Sequence, residues 1–99
     1  MDSALRERIH NRQVVLEGIK CELVDRLQLE VQPRDIDDDT FLFGGGLALD
    51  SIDSMEIIIG MEARFGIRVP EGEVAALRTI NTLADLVESS KDTRKVLQG

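Results

Sequence analysis

The sequence predicts an all-α fold: a four-helix bundle with three main helices, one short helix and a long loop between the first and second. Three observations predict it. Apolar residues recur at the helical period, helix-start residues stand ahead of both later main helices, and Pro33, Gly66 and Pro70 punctuate the chain where helices must stop. With 99 residues, 42% of them hydrophobic, the chain suffices for one core and not for two. A single domain over residues 1–99 is expected, with its core at about residues 5–90 and a frayed tail at 91–99.

The first helix is expected from residue 4 to about 29. Leu5, Ile9, Leu16, Ile19, Leu23 and Leu27 recur as a buried helical stripe, with charged residues over much of the remaining surface. Gly18 is a weak spot, costing roughly 1 kcal/mol against Ala. Pro33 prevents continuation. Residues 30–50 read as a loop that holds the acidic run Asp37-Asp38-Asp39 and the triplet Gly44-Gly45-Gly46. A structureless segment of this length is unusual in a small domain and signals function or a hidden short turn. Ile36, Phe41, Leu42, Phe43, Leu47 and Leu49 are expected to anchor it on the bundle.

The second helix is expected from Asp50-Ser51 to Phe65, with Asp or Ser as N-cap and Gly66 as the stop. Ile57-Ile58-Ile59 has strand propensity, but the spacing of Ile58, Met61 and Phe65 is helical. Glu71 to about Leu77 reads as the short helix. Thr82-Leu83-Ala84-Asp85 has a capping-box pattern, and Leu83, Leu86 and Val87 give the last helix an apolar face that ends near Ser90.

Charge narrows the function. The formal net charge is −7 and the pI is near 4.6. Residues 29–73 carry the acidity, while 1–28 are balanced and 74–99 slightly basic. A phosphate-neutralising nucleic-acid binder is disfavoured, as is an anionic membrane surface. No apolar run approaches the ~20 residues needed to cross a bilayer, so no membrane insertion is expected. The first residues lack the apolar run of a secretory leader, and the lone Cys21 allows no internal disulfide. The cytoplasm is therefore the expected location. The acidity either serves solubility or attracts basic partners.

The second helix carries two apolar stripes where one core requires one. Ile58, Met61 and Phe65 form the first. Ile52, Met55 and Ile59 form the second, nearly opposite, edged by Asp53, Glu56 and Glu62. The second is either an exposed docking surface for a basic, apolar partner or a face that the loop anchors cover.

Other chemistries fit poorly. Ser51 has no Gly-x-Ser-x-Gly context, and His10, the single histidine, stands far away in the first helix, which argues against a serine hydrolase. Asp35, Asp37 and Asp39 have the alternate spacing of an EF-hand start, but Thr40 and Gly46 stand where its Gly and Glu belong, so a solvated acidic turn is the expected reading. The triple glycine lacks the Lys-Ser/Thr of a P-loop. Cys21 has no neighbouring His or Cys, and no metal site is expected.

Leu47-Ala48-Leu49-Asp50-Ser51-Ile52-Asp53-Ser54-Met55-Glu56 resembles the signature of acyl carrier proteins, in which Asp-Ser-Leu opens the second helix of a four-helix bundle. The resemblance continues through Glu62-Ala63-Arg64-Phe65-Gly66-Ile67-Arg68-Val69-Pro70 and through Thr79 to Val87, and Pro33-Arg34-Asp35-Ile36-Asp37 looks like the family's loop opening. It covers roughly residues 5–90. Ile52 stands where Leu is usual, and the long first helix and basic tail exceed the minimal domain, which points to a specialised discrete carrier.

The resemblance implies a covalent 4′-phosphopantetheine on Ser51, transferred from coenzyme A by a phosphopantetheinyl transferase, with Asp50 beside it serving the transferase and its magnesium. The arm's thiol would hold acyl intermediates of fatty-acid-like or polyketide-like synthesis as thioesters. The chain itself would be a non-catalytic monomer. Ile52, Asp53, Met55, Glu56, Ile59 and Glu62 would meet basic patches on acyl-transferring and condensing enzymes. Ile58, Met61, Phe65, Leu83, Leu86 and Val87 would line a space for the acyl chain. The alternatives are an aminoacyl or peptidyl carrier, which the Leu49-Asp50 that precedes Ser51 disfavours, and a non-carrier acidic adaptor.

Overall fold

The computed structural model describes residues 3–43, 46–47, 49–50, 52–69 and 77–98, with side chains as far as Ser90. Three α-helices dominate: α1 (Ser3–Leu27), α2 (Asp53–Phe65) and α3 (Ile80–Gln98), with a 3-10 turn at Pro33–Asp35 inside the long loop. The described residues contain no strand longer than an isolated bridge. The all-α class read from the sequence holds. The expected short helix falls on residues 71–76, outside the described ones, followed by the buried Leu77.

The core is entirely apolar among the described residues. Val15, Leu16, Ile19 and Leu23 come from α1, Ile57 and Met61 from α2, and Ile80, Leu83, Ala84, Leu86 and Val87 from α3. Leu5 and Ile9, expected in the buried stripe, are exposed. α2 does not reach them. At ~1.5 Å per residue, the 13-residue α2 spans about half of the 25-residue α1, and its contacts run antiparallel from Arg26–Glu56 to Gly18–Phe65. Nothing in α2 extends to the first turns of α1.

α1 ends differently from the sequence expectation. Gln28 takes a left-handed conformation, φ 52°, and the Leu29 N–H reaches back to the Val24 carbonyl at 3.1 Å. This is a Schellman closure with Gln28 at the position usually given to Gly. Val24 and Leu29 both pack on the core and hold it. α2 does end as expected: Gly66 is left-handed (φ 64°, ψ 37°) and its N–H bonds to the Glu62 carbonyl.

Two glycines set the α1–α2 approach. A Cβ on Gly18 would lie 3.0 Å from the Phe65 ring, and one on Gly60 would lie 2.9 Å from Arg26 Nε and Glu22 Cγ. Gly18 therefore gains in packing what it costs in helix propensity. Around the crossing, Glu22 pairs with Arg26 at 2.7 Å and with Arg64 at 3.4 Å, and Arg26 reaches Glu56 at 3.6 Å. Exposed pairs add little stability; their consequence is the antiparallel register. Hydrogen bonding to Glu22 is the main reason that the Arg26 pKa is raised.

The loop is anchored where expected, with one exception. Ile36 and Leu42 are buried, and Phe43, Leu47 and Leu49 pack against the core, but Phe41 is 55% exposed. Phe41 bridges Thr79, with Leu42 N–H on the Arg78 carbonyl at 2.8 Å and Ile80 N–H on the Thr40 carbonyl at 3.1 Å. Leu42 takes the place in the core, and its neighbour Phe41 stays outside.

The acidic run is used structurally. Lys20 Nζ meets Asp38 Oδ1 at 2.7 Å, Asn81 N–H donates to the Asp38 carbonyl at 2.7 Å, and Asn81 Nδ2 donates to Asp39 Oδ1 at 2.7 Å. The Asp38 and Thr40 carbonyls, accepting from Asn81 and Ile80, satisfy free N–H groups of the first turn of α3. No group of three or more His, Cys, Asp or Glu suited to a metal ion occurs among the described residues.

The capping box of α3 lies three residues earlier than the sequence pattern placed it. Thr79 Oγ1 accepts the Thr82 N–H at 3.1 Å, and Thr82 Oγ1 accepts the Thr79 N–H at 2.8 Å. Asp85 instead pairs with Arg12 at 2.9 Å, and Arg12 also binds Glu88 and Asn81. Burial lowers the Arg12 pKa, but hydrogen bonds and attraction from Glu88 and Asp85 outweigh it, and the net shift is upward. Thr79→Ala is expected to cost about 1 kcal/mol as a lost cap, while Asp85→Ala, which leaves Glu88 for Arg12, should cost less. Urea unfolding of the two variants checks the order; a costlier Asp85→Ala would restore the Thr82–Asp85 box. α3 continues to Gln98, about two turns past the Ser90 end expected from sequence. Residues 91–98 hold no Gly or Pro, and basic residues suit a helix C-terminus.

Candidate functional site

The start of α2 is built by a reciprocal pair of hydrogen bonds. Asp53 N–H donates to the Asp50 carbonyl at 2.9 Å, and Asp50 N–H donates to Asp53 Oδ2, also at 2.9 Å. Ile52 already has helical dihedrals, φ −64° and ψ −34°. The helix therefore starts later than the Asp50-Ser51 expected from sequence: its regular part begins at Asp53, with Ile52 at the cap position and no side-chain cap bond, and the Asp50 side chain is not the cap. Ser51 lies outside the described residues; its neighbours Asp50 and Ile52 are exposed. Upstream, Leu49 N–H binds the Leu42 carbonyl at 3.0 Å and Leu49 bridges Phe43. The chain is therefore tied down immediately before the turn and immediately after it.

Asp53 and Glu56 stand in the first turn of α2, where the free N–H groups and the helix dipole favour negative charge. The second apolar stripe is uncovered: Ile52 is 81% exposed, Met55 64% and Ile59 44%. Five of the six loop anchors go to the core and not to this face.

The opposite face differs in detail from the sequence reading. Met61 is fully buried, but Ile58 and Phe65 are half-buried at the edge of the core. The centre of the contact is Ile57, fully buried with Gly60 and Met61. The inward face is thus turned by about one residue. In a run of three isoleucines, composition alone does not say which one points inward. Leu83, Leu86 and Val87 are buried as expected.

The three carboxylates grouped around the exposed stripe have separate surroundings. Glu56 is exposed and 3.6 Å from Arg26. Glu62 is half-buried, and its Oε2 accepts the Val69 N–H at 2.8 Å, bracing the chain after α2. It is not a free charge on the edge of the stripe. Asp53 braces the turn at the other end. Its role was visible in the sequence as the spacing Asp50-x-x-Asp53, a capping-box pattern with acidic residues at both positions.

The family of the phosphopantetheine attachment site matches residues 19–87. An acyl carrier protein of Thermosynechococcus vestitus is 32% identical over 79 residues, which cover 80% of this chain and 94% of that protein. The chain belongs to the acyl carrier protein family. The carrier also resembles acyl carrier protein 3, chloroplastic, of Cuphea lanceolata, at 35% identity over 75 residues, 76% of this chain and 51% of that one. A third relative, the acyl carrier protein of Wolinella succinogenes, is 27% identical over 77 residues, 78% of this chain and 97% of that one.

As a member, the carrier bears 4′-phosphopantetheine and transports acyl groups on it. The group supplies, when bound, a flexible arm whose thiol holds the acyl chain. The start of α2 suits it: Asp50 and Ile52 are exposed, and a helix N-terminus favours a phosphodiester. A carrier of this family is served by a phosphopantetheinyl transferase and by partner enzymes, and is not itself a catalyst. No described helix is long and apolar enough to cross a membrane.

Proposed function

We propose that Ser51 is the attachment residue and that this chain is an acyl carrier of fatty-acid-like or polyketide-like synthesis. The observation that carries the reading is the pair of bonds joining Asp50 to Asp53 at the start of α2, within the matched span, with Asp50 and Ile52 exposed. Asp50, exposed and next in sequence, serves the transferase and its magnesium rather than the phosphate, which it would repel. The chain supplies no general base for the transfer. The transferase does the chemistry and the carrier presents a hydroxyl. A lone cysteine and the acidic surface fit a monomer working in the cytoplasm.

Partners read the exposed face of α2. Ile52, Met55 and Ile59 offer an apolar contact, and Asp53 and Glu56 set an acidic field for basic patches on acyl-transferring and condensing enzymes. Glu62, tied to Val69, contributes mainly as part of that field. Contacts of this composition form fast, are salt-sensitive and release readily, as a shuttle requires. The acyl chain itself is sheltered between α2 and α3, where Ile58 and Phe65 sit at the edge of the core formed with Met61, Leu83, Leu86 and Val87.

Intact mass spectrometry tests the attachment. Incubated with coenzyme A, magnesium and a broad-specificity phosphopantetheinyl transferase, the unloaded chain should gain the mass of one phosphopantetheine, and Ser51→Ala should gain none. A gain that persists in Ser51→Ala overturns the assignment. Loading from malonyl, acyl and aminoacyl donors then separates acyl from aminoacyl cargo.

A further inference from the structure

We propose that Asp53 is a positioning residue for loading: its carboxylate holds the backbone on both sides of residue 51 in place, rather than serving chiefly as a charge that partners read. The inference rests on the assignment of Ser51 as the attachment residue. It changes what the sequence pattern implies for Asp53, which by composition belongs with Glu56 as an edge of the docking stripe.

The geometry is specific. Asp53 gives its N–H to the Asp50 carbonyl and takes the Asp50 N–H on Oδ2, both at 2.9 Å. The pair ties Asp50 to Asp53 directly. Asp53 is half-buried, whereas Asp50, Ile52, Met55 and Glu56 around it are exposed, consistent with a carboxylate turned back on its own chain. The neighbouring residue upstream is already fixed, because Leu49 N–H is held by the Leu42 carbonyl at 3.0 Å. Asp53 thus joins a loop segment anchored on the core to the first turn of α2. Without its carboxylate, Asp50 would keep one bond of the pair and its N–H would pass to solvent. The turn would lose the charge-assisted bond, the stronger kind. A transferase must place one hydroxyl in line with its own reacting groups, and small misplacements of a reacting group cost rate steeply.

Acceptor and charge can be separated. Asp53→Asn keeps an oxygen able to accept the Asp50 N–H and removes the charge; Asp53→Ala removes both. If Asp53 positions the turn, loading of Asp53→Asn by coenzyme A, magnesium and transferase should stay within about threefold of the unchanged chain, and Asp53→Ala should fall by roughly tenfold or more. Hydrogen exchange of the Asp50 amide in the unloaded proteins supplies a readout independent of any partner. It should be slow in the unchanged chain and in Asp53→Asn, and fast in Asp53→Ala, with thermal unfolding showing that all three are folded. Equal losses of loading in both variants, diminishing with added salt, would mean that the charge is what matters and would overturn the proposal. So would an Asp50 amide that exchanges freely in the unchanged chain. Peptide mapping of the loaded chain keeps the underlying assignment separate: a phosphopantetheine found away from Ser51 would defeat that reading while leaving the amide protection of Asp50 as measured.

Discussion

Gly46→Ala is expected to lower the melting temperature more than any other single methyl added to a described glycine. A Cβ there would lie 2.0 Å from the Phe41 carbonyl oxygen, 2.7 Å from its carbon and 2.8 Å from its nitrogen. These atoms are backbone and have no rotamer to retreat into. At Gly60, by contrast, the nearest atoms are the ends of Glu22 and Arg26 side chains, which can swing away. The Phe41 backbone is itself committed. Its carbonyl accepts the Leu47 N–H at 2.8 Å, and the residue bridges Thr79 at the start of α3. Accommodating the methyl therefore means releasing Leu47 or pulling the loop from α3. Overpacking of this kind costs about 1–3 kcal/mol or more, and in a domain of this size each kcal/mol lowers Tm by roughly 4–8 °C. Loading should slow as well, since the same segment leads through Leu49 to Asp50. Circular dichroism melting and a timed loading assay measure the two effects. An unchanged Tm would mean that the loop does not make this close approach.

Features that depend on local chemistry could be read from the residues. Gly66 after Phe65 marks the end of α2 because a left-handed residue without a Cβ pays no steric cost, and that is where the helix ends. The loop anchors were legible because apolar residues in an otherwise polar loop have few places to go, and five of the six are buried or packed on the core. The exposed Ile52, Met55 and Ile59 were legible as a second stripe on a helix that needs only one.

Features set by tertiary partners were not legible in this way. Gln28 closes α1 in a conformation that costs a non-glycine residue roughly 1–2 kcal/mol, and only the packing of Val24 and Leu29 explains why it is held. The α3 cap was displaced in the reading because Thr82-x-x-Asp85 has the residue types of a capping box, whereas the actual pair, Thr79 and Thr82, places a threonine where Glu or Gln is usual. Asp85 was claimed by Arg12, 73 positions away in the chain. Among the acidic residues the same limit applies. Glu56 and Glu62 look alike in sequence, yet one meets Arg26 and the other holds Val69.

The consecutive isoleucines of α2 allow fold and function to be separated by two substitutions of the same chemistry. Ile57→Ala is expected to destabilise the domain by about 2–5 kcal/mol, the usual cost of emptying a core site, because Ile57 is fully buried. It lies beside Gly60 and Met61 on the buried face of α2, and the small residue at Gly60 leaves little side-chain volume nearby to fill the hole. Ile59→Ala removes the same atoms two residues on, where the side chain is 44% exposed. Its cost to folding should be small, within about 1 kcal/mol. Its effect should appear instead in kcat/KM for the transferase and for acyl-transferring partners, since an apolar contact at an interface is lost while Glu56 and the surrounding acidic charge remain to steer the encounter. The salt dependence of the rate should then persist in Ile59→Ala, because steering is electrostatic, even as the rate itself falls. Denaturant unfolding and partner kinetics at two ionic strengths measure the two variants together. If Ile59→Ala unfolded the chain as readily as Ile57→Ala, the exposed stripe would be part of the core. If it left partner kinetics untouched, α2 would present its docking face elsewhere.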